Sequence, residues 1–259
     1  MEMLPEYKVH AIRLGKVDFD MGPSVPGREP NIQSIPVWAA VVEGNGSLIL
    51  VDTGIKDAVR HSRLAPTTLD PEETLKGRMA TLGWKPSDVD VVVNTHLHCD
   101  HAENNRDVPG AQFFVSRTEW EYALAPDTAQ AALYDFDWTG TELSFLNYTL
   151  IDVDHYDVLP GVRLIQTPGH TPGHQSVLVN TAEGVLCVVG DAAGSMENLM
   201  APSPPGINSS SSEAIQSIHK IRRYCDRVFM SHDPNIDEFQ EHGFPIVPPL
   251  SGWAGPAGR

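Results

Sequence analysis

"NTHLHCDH", Asn94 to His101, places three histidines and one aspartate within the six positions from His96 to His101. It follows directly on "VDVVV", Val89 to Val93, an apolar run that reads as a buried strand. The apolar continuity stops where the histidines begin. In an extended segment alternate side chains share a side, so His96, His98 and Asp100 are expected to converge. His101 joins them only if the chain turns there, and the polar "AENNRD" that follows is suited to such a turn. One loop of this kind can give two ligands to one metal ion and two to a second. Imidazole and carboxylate suit Zn²⁺ first, and also Fe, Mn or Co.

Working outward, the same design recurs three times. "LIQTPGH" ends an apolar strand at His170, "VLCVVGD" ends one at Asp191, and "RVFMSH" ends one at His232. A chance surface cluster of polar residues would need no such partners. Four strands each deliver a candidate ligand at the same end, so the groups can meet along one edge of a sheet.

The remaining segments supply the scaffold. "KVHAIRLGKVDF" alternates as a strand, and "VWAAVVEG" and "SLILVDTG" flank the turn "EGNG" as a hairpin. "PEETLKGRMATLGW" spaces Leu75, Met79 and Leu82 at helical intervals, and "QFFVS" followed by "RTEWEYALA" reads as strand then helix. Ser210 to Glu213 forms a capping box before a stripe of Ala214, Ile215, Ile218, Ile221 and Cys225. Strands in two groups, each with helices, predict two sheets face to face with helices outside, as one domain over residues 1–259. Residues 125–148, rich in aromatics, and the Pro- and Ser-rich residues 194–212 take no regular assignment. Residues 248–259 read as a poorly ordered tail.

Composition limits the partners. Among 259 residues, 34 acids against 18 Lys and Arg give a formal net charge of -16. Such a surface repels phosphate backbones and anionic membranes, which argues against nucleic acid. No apolar run approaches the ~20 residues of a membrane span, and no basic, apolar leader opens the sequence. Cys99, Cys187 and Cys225 are odd in number and widely spaced, which fits reduced thiols and a cytoplasmic location.

"VDTG", "THLHCDH", "TPGHTPGH", "VVGDA" and "SHD", in this order and spacing, resemble the metallo-β-lactamase superfamily over about residues 35–235. "TPGHTPGHQSVLV" and "SHD" are most similar to its quorum-quenching N-acyl-homoserine lactonases. The resemblance implies an α/β fold, the four-layer αββα sandwich, with two divalent metal ions. It assigns His96, His98 and His170 to the first ion, Asp100, His101 and His232 to the second, and Asp191 to both. Asp52 takes the position that orients a ligand histidine, and His174 a supporting one. Cys99 alternates away from the ligands and reads as a packed thiol. His10, His61, His155, His219 and His242 have no partner pattern and read as surface residues.

The implied reaction is hydrolysis of a small-molecule lactone or cyclic amide by a hydroxide bridging the ions, with Asp100 as catalytic proton acceptor. Two departures bear on the substrate. The lactonases typically carry a tyrosine three residues after the bridging Asp, where this chain has Gly194; Tyr134 and Tyr156 are candidates to replace it. Glu103 and Asn104 stand where small residues are frequent, beside the expected substrate. A pocket lined by Trp138 and its neighbours then favours a small or ring-bearing, neutral to weakly charged substrate. The alternatives are a thioester hydrolase of the glyoxalase II type, for which the C-terminus lacks basic residues, and a mononuclear iron persulfide dioxygenase. A homodimer is compatible with any of these.

Overall fold

Strand β2 (Ile32–Gly44) shows why the chain layers itself. Trp38, Ala40 and Val42 enter one buried apolar cluster while Ala39 and Val41 enter another. A strand that is apolar on both faces needs cover on both. The computed structural model describes residues 4–20, 29–134 and 146–247. Strands β1 (Lys8–Asp20), β2, β3 (Ser47–Val51), β4 (Thr67–Thr68), β5 (Val91–Val93), β6 (Gln112–Ser116) and β7 (Tyr148–Ile151) form a seven-stranded sheet ordered β4-β1-β2-β3-β5-β6-β7. Strands β8 (His155–Leu159), β9 (Val162–Gln166), β10 (Gln175–Thr181), β11 (Gly184–Gly190) and β12 (Arg227–Met230) form a five-stranded sheet ordered β12-β11-β10-β9-β8.

The inner cluster joins Trp38, Ile49, Val93 and Phe114 of the first sheet to Leu164, Val177, Val188 and Phe229 of the second. Outside the first sheet, Leu75 and Met79 of a helix at Leu75–Thr81 pack on Val92 and Phe113. Outside the second, Ile218 and Ile221 of a helix at Ser211–Tyr224 pack on Cys187 and Val228. The layers therefore run helix, sheet, sheet, helix, as expected. Burying one such large side chain contributes roughly 1.5–3 kcal/mol, against about 1 kcal/mol for a helix cap. Packing therefore dominates over capping in holding the helices.

Most sequence-level elements are where the patterns place them. The β2–β3 hairpin turns on Asn45 (φ 51) and Gly46 (φ 75), the pair of left-handed residues a two-residue loop requires. Ser210 caps the Ser211–Tyr224 helix by accepting from the Glu213 N–H, though Ile215 is only half-buried and Ser217 completes the inner face. The helix expected from Pro71 begins at Leu75, because Thr74 caps it and residues 71–73 form a separate 3₁₀ turn. Residues 194–212, unassigned from sequence, hold a short helix, Met196–Met200. Phe136, Trp138, Phe145 and the tail 248–259 lie outside the described residues. The three cysteines are buried, and none is in a disulfide. No helix among the described residues is long and apolar enough to cross a membrane.

Strand direction creates the site. β3 and β5 are parallel, so both end on one edge of the first sheet. β9 and β11 are both antiparallel to β10, and β12 is parallel to β11, so these three also end together. Two seams bring the edges into contact. Gln175 donates its N–H to Thr95 O (2.9 Å) and Nε2 to Asn94 O (3.0 Å). Trp38 donates its N–H to Ser231 O (2.8 Å) and Nε1 to Asp233 O (2.9 Å).

Candidate active site

Past β5 the chain stays extended only as far as His98 (φ -62, ψ 151), which caps a one-turn helix at Cys99–Ala102. The turn therefore comes three residues earlier than the sequence pattern implied. His96 and His98 do converge, and they meet His170. Asp100 does not share their side by strand alternation. It leaves the first turn of the helix beside His101, and the two meet His232. Asp191 lies with His96 and His101 between the two groups.

The imidazole tautomers are fixed by outward hydrogen bonds. His170 Nδ1 donates to Ile207 O (2.8 Å) and His232 Nδ1 to Pro36 O (2.9 Å). His101 Nδ1 donates to Asp52 Oδ2 (2.8 Å). The Thr95 hydroxyl donates to Asp52 Oδ2 (2.8 Å), so it accepts from His96 Nδ1 (3.0 Å). In its neutral form each of these four rings therefore carries its lone pair on Nε2, facing inward. His170 Nε2 lies 3.1 Å from His98 Nδ1 and 3.6 Å from Asp191 Oδ2. His232 Nε2 lies 3.3 Å from Asp191 Oδ2 and 3.6 Å from Asp100 Oδ2, and His101 Nε2 lies 3.4 Å from Asp191 Oδ1. His96 Nε2, His101 Nε2 and Asp191 Oδ1 are buried without a hydrogen-bond partner. Buried polar atoms are rarely left so. Inward-facing acceptors that converge on one space fit a pair of divalent cations.

The electrostatics divide the two groups. Burial, reinforced by neighbouring imidazoles, holds His96 and His98 well below the ordinary histidine pKa, so they stay neutral. Burial also opposes charge on His101, but Asp191, Asp100 and Asp52 outweigh it and raise that pKa well above ordinary. Asp191 is pushed well below the usual carboxylate range because His232 and His101 overcome its burial. His96 and His101 are fully enclosed, whereas the Asp100, Asp191 and His232 side chains keep 19%, 16% and 12% of their surface. The mouth of the site is on their side.

Around these groups Asp52 and His174 are braces at positions read from the sequence, and Glu119 and Gly173 add a joint the sequence did not point to. Asp52 sits at φ 62 and accepts from the Thr95 N–H (2.7 Å), the Thr95 hydroxyl and His101. Such a left-handed backbone costs a non-glycine residue about 1–3 kcal/mol, offset here by three accepted bonds. The buried Glu119, on a helix at Arg117–Leu124, accepts from the Leu97 N–H (3.0 Å), the Tyr134 hydroxyl (2.6 Å) and the Thr171 hydroxyl (2.6 Å). It thereby ties the His96–His98 run to the His170 loop. Gly173 exists for this contact, since a Cβ there would lie 2.0 Å from Glu119 N. His174 Nε2 accepts from the Asp191 N–H (3.0 Å), and Gly190 (φ 62) makes room for it.

The family model described as the metallo-β-lactamase superfamily matches residues 34–232. The chain belongs to the metallo-β-lactamase superfamily. Within it, an N-acyl homoserine lactonase of Bacillus cereus is 32% identical over 234 residues, 84% of this chain and 88% of that protein. A solved structure of an AiiA variant from B. thuringiensis, with N-decanoyl-L-homoserine bound at its active site, superposes with a TM-score of 0.76 at 26% identity, covering 95% of this chain and 99% of that one. AidC, described as a dizinc quorum-quenching lactonase, shares the fold at a TM-score of 0.67 and 18% identity, covering 90% of each chain.

Four expectations drawn from superfamily resemblance or from pattern need correction. Glu103 does not face a substrate: it is buried and accepts from the Lys56 N–H (2.8 Å) and Asp57 N–H (3.2 Å). Asn104 Nδ2 likewise donates to the carbonyls of Thr53, Gly54 and Ile55, bracing the "VDTG" turn. Neither tyrosine replaces the one missing at Gly194. Tyr134 sits edge-on to His98 at 4.7 Å between centroids, but its hydroxyl is committed to Glu119. Tyr156 lies on edge strand β8 against Phe114. His61 is not a surface residue: it is 5% exposed, with Nδ1 2.7 Å from the Thr67 hydroxyl. Among the described residues a Cβ at Gly194 would meet only Asn198 Oδ1 at 3.7 Å, so these residues leave room there for a larger side chain.

Proposed function

We propose that this chain is a two-metal hydrolase that opens lactones. His96, His98 and His170 hold one divalent ion, Asp100, His101 and His232 hold the other, and Asp191 lies between them; Zn²⁺ suits this donor set first. The observation that carries the reading is the set of four imidazoles locked with Nε2 inward around partnerless buried acceptors. A single-iron site would need only the first three histidines, and the completeness of the second group favours two ions. Such a pair, when bound, supplies Lewis acidity toward an ester carbonyl and water of lowered pKa.

The chain's own residues supply the rest. Asp52 and the carbonyls of Ile207 and Pro36 orient the histidines. Asp100, at the mouth, accepts the proton of the attacking water and returns it to the alkoxide released as the ring C–O bond breaks. With Gly194 in place of a tyrosine, the Tyr134 hydroxyl committed to Glu119 and Tyr156 out on edge strand β8, the substrate does without a phenol on its carbonyl. Small or ring-bearing lactones fit that need better than long acyl chains do, and N-acyl homoserine lactones, the substrates named for its relatives, are the first class to assay.

The test combines metal analysis with kcat/KM across lactones of increasing acyl length, with Trp138→Ala beside the parent. About two ions per chain are expected, with hydrolysis of small lactones and little gain with chain length. One ion per chain, or no lactone opened, defeats the reading. A steady rise with chain length that Trp138→Ala leaves untouched defeats the substrate preference alone.

A further inference from the structure

One cluster adjoins this centre and shares only Asp100 with it. His61, Cys99 and Asp100 bring ligand atoms within 4.8 Å of one another. They come from two chain segments, a one-turn helix at Ala58–His61 and the helix that follows His98. His61 and Cys99 are 5% and 3% exposed, so the cluster is buried rather than an incidental surface grouping.

The tautomer of His61 is decided by its neighbours. The Thr67 hydroxyl donates to Ala65 O (2.8 Å), so at 2.7 Å it accepts from His61 Nδ1. Nε2 then holds the lone pair. Histidines that bind metals are fixed in the same way, by a hydrogen bond from the second ring nitrogen. The other two members add a thiol sulfur and a carboxylate oxygen.

The geometry points to a third cation position, held by His61, Cys99 and Asp100, for a thiophilic divalent ion such as Zn²⁺, Co²⁺ or Cd²⁺. A nitrogen, sulfur and carboxylate set selects borderline-soft ions over Mg²⁺ or Ca²⁺. Binding breaks the Cys99 S–H bond and releases that proton to solvent, and the thiolate offsets part of the added charge. Asp100 is common to this position and to the second ion of the proposed centre. Filling it occupies a carboxylate that the reaction uses for proton transfer, so excess metal lowers turnover. The position rests on the two-ion reading for the expected count of ions and for that inhibitory consequence, and not for its own three ligands.

The experiment titrates the zinc-loaded full-length protein with Co²⁺ and follows near-ultraviolet absorption together with bound metal. The proposed two-ion centre contains no sulfur, so a thiolate-to-cobalt charge-transfer band that Cys99→Ser abolishes reports Cys99 rather than Cys187 or Cys225. The expected result is a band that saturates as bound metal rises from about two to three ions per chain, with lactone turnover falling in step. Cys99→Ser and His61→Gln should abolish the band and hold the count at two. No band in the parent, or a band that reaches full intensity at two ions, overturns the proposal, as does a band that survives in His61→Gln. Failure of lactone hydrolysis with the band intact would count against the proposed substrate and not against this position.

Discussion

Asp100 and Asp191 are both carboxylates at the centre of the site, yet they should fail differently when altered. Asp191 sits within 3.6 Å of imidazole nitrogens from His101, His170 and His232, so Asp191→Ala should lose both ions together. Asp100→Asn keeps an oxygen near His101 and His232 but gives up the proton acceptor. Metal content should stay close to the parent's while kcat drops about 10²–10⁴-fold. Near-normal turnover in Asp100→Asn would remove it from the reaction. His174 offers a separate test through pH. Burial drives its pKa from the ordinary 6.5 to about 3, so it is neutral in the fold. Below pH 6.5 the unfolded chain gains a proton that the folded chain refuses. Its contribution is therefore complete above pH 6.5 and declines as pH falls toward 3, at up to about 1.4 kcal/mol per unit. Urea unfolding of the metal-free protein between pH 7 and 5 should show a shallower loss in His174→Gln than in the parent. Equal slopes would refute the assignment. At this scale the convergence of His96, His98, His101, His170, Asp191 and His232 was legible because imidazole and carboxylate at strand ends have few other uses. His61 was not, because its near partner Thr67 is a single hydroxyl, and Cys99, far along the chain, was taken to point away.

At the scale of elements, the loops are positioned by close backbone approach as much as by side-chain bonds. Gly173 lets the His170 loop press on the Arg117–Leu124 helix, and Glu119 then closes the joint with accepted bonds from Leu97, Tyr134 and Thr171. Gly173→Ala forces a methyl against helix backbone that cannot yield as a flexible side chain would. It should destabilise the fold by about 1–3 kcal/mol, the usual range for overpacking, and weaken binding at His98 and His170 first. Glu119→Gln preserves shape but introduces a donor where only acceptors fit, so it should speed metal loss to a chelator with a smaller change in stability. Chelator-release rates and unfolding midpoints, taken together, separate the two effects; identical behaviour of both variants would show that the joint acts only through packing. The strand and helix pattern announced these elements well, since alternation and helical spacing are local. The one-turn helix after His98 went unseen. It is too short to carry a period, and its cap is a histidine rather than Ser, Thr, Asp or Asn.

Across the whole molecule, the two-sheet sandwich was legible because β2 alternates between two apolar clusters and the strands fall into two groups. What the pattern could not supply was the pairing of edges, which depends on contacts such as His232 Nδ1 with Pro36 O across 196 residues of chain. Net charge acts at this scale too. A formal charge of -16 surrounds a mouth that itself presents Asp100 and Asp191. An anionic lactone approaching it is repelled over about one Debye length, roughly 10 Å at 0.1 M salt, whereas a neutral ring is not. The bound ions offset this field only close to the site, so the penalty falls on encounter and shows in kcat/KM more than in kcat. Raising ionic strength from about 0.01 M to 0.1 M shortens the Debye length from about 30 Å to about 10 Å. Over that range kcat/KM for a carboxylate-bearing lactone should rise several-fold, while that for a neutral lactone of the same ring and length stays flat. If salt instead slows the anionic substrate, the ions dominate the approach and the site attracts acids, and the preference for neutral rings would have to be abandoned.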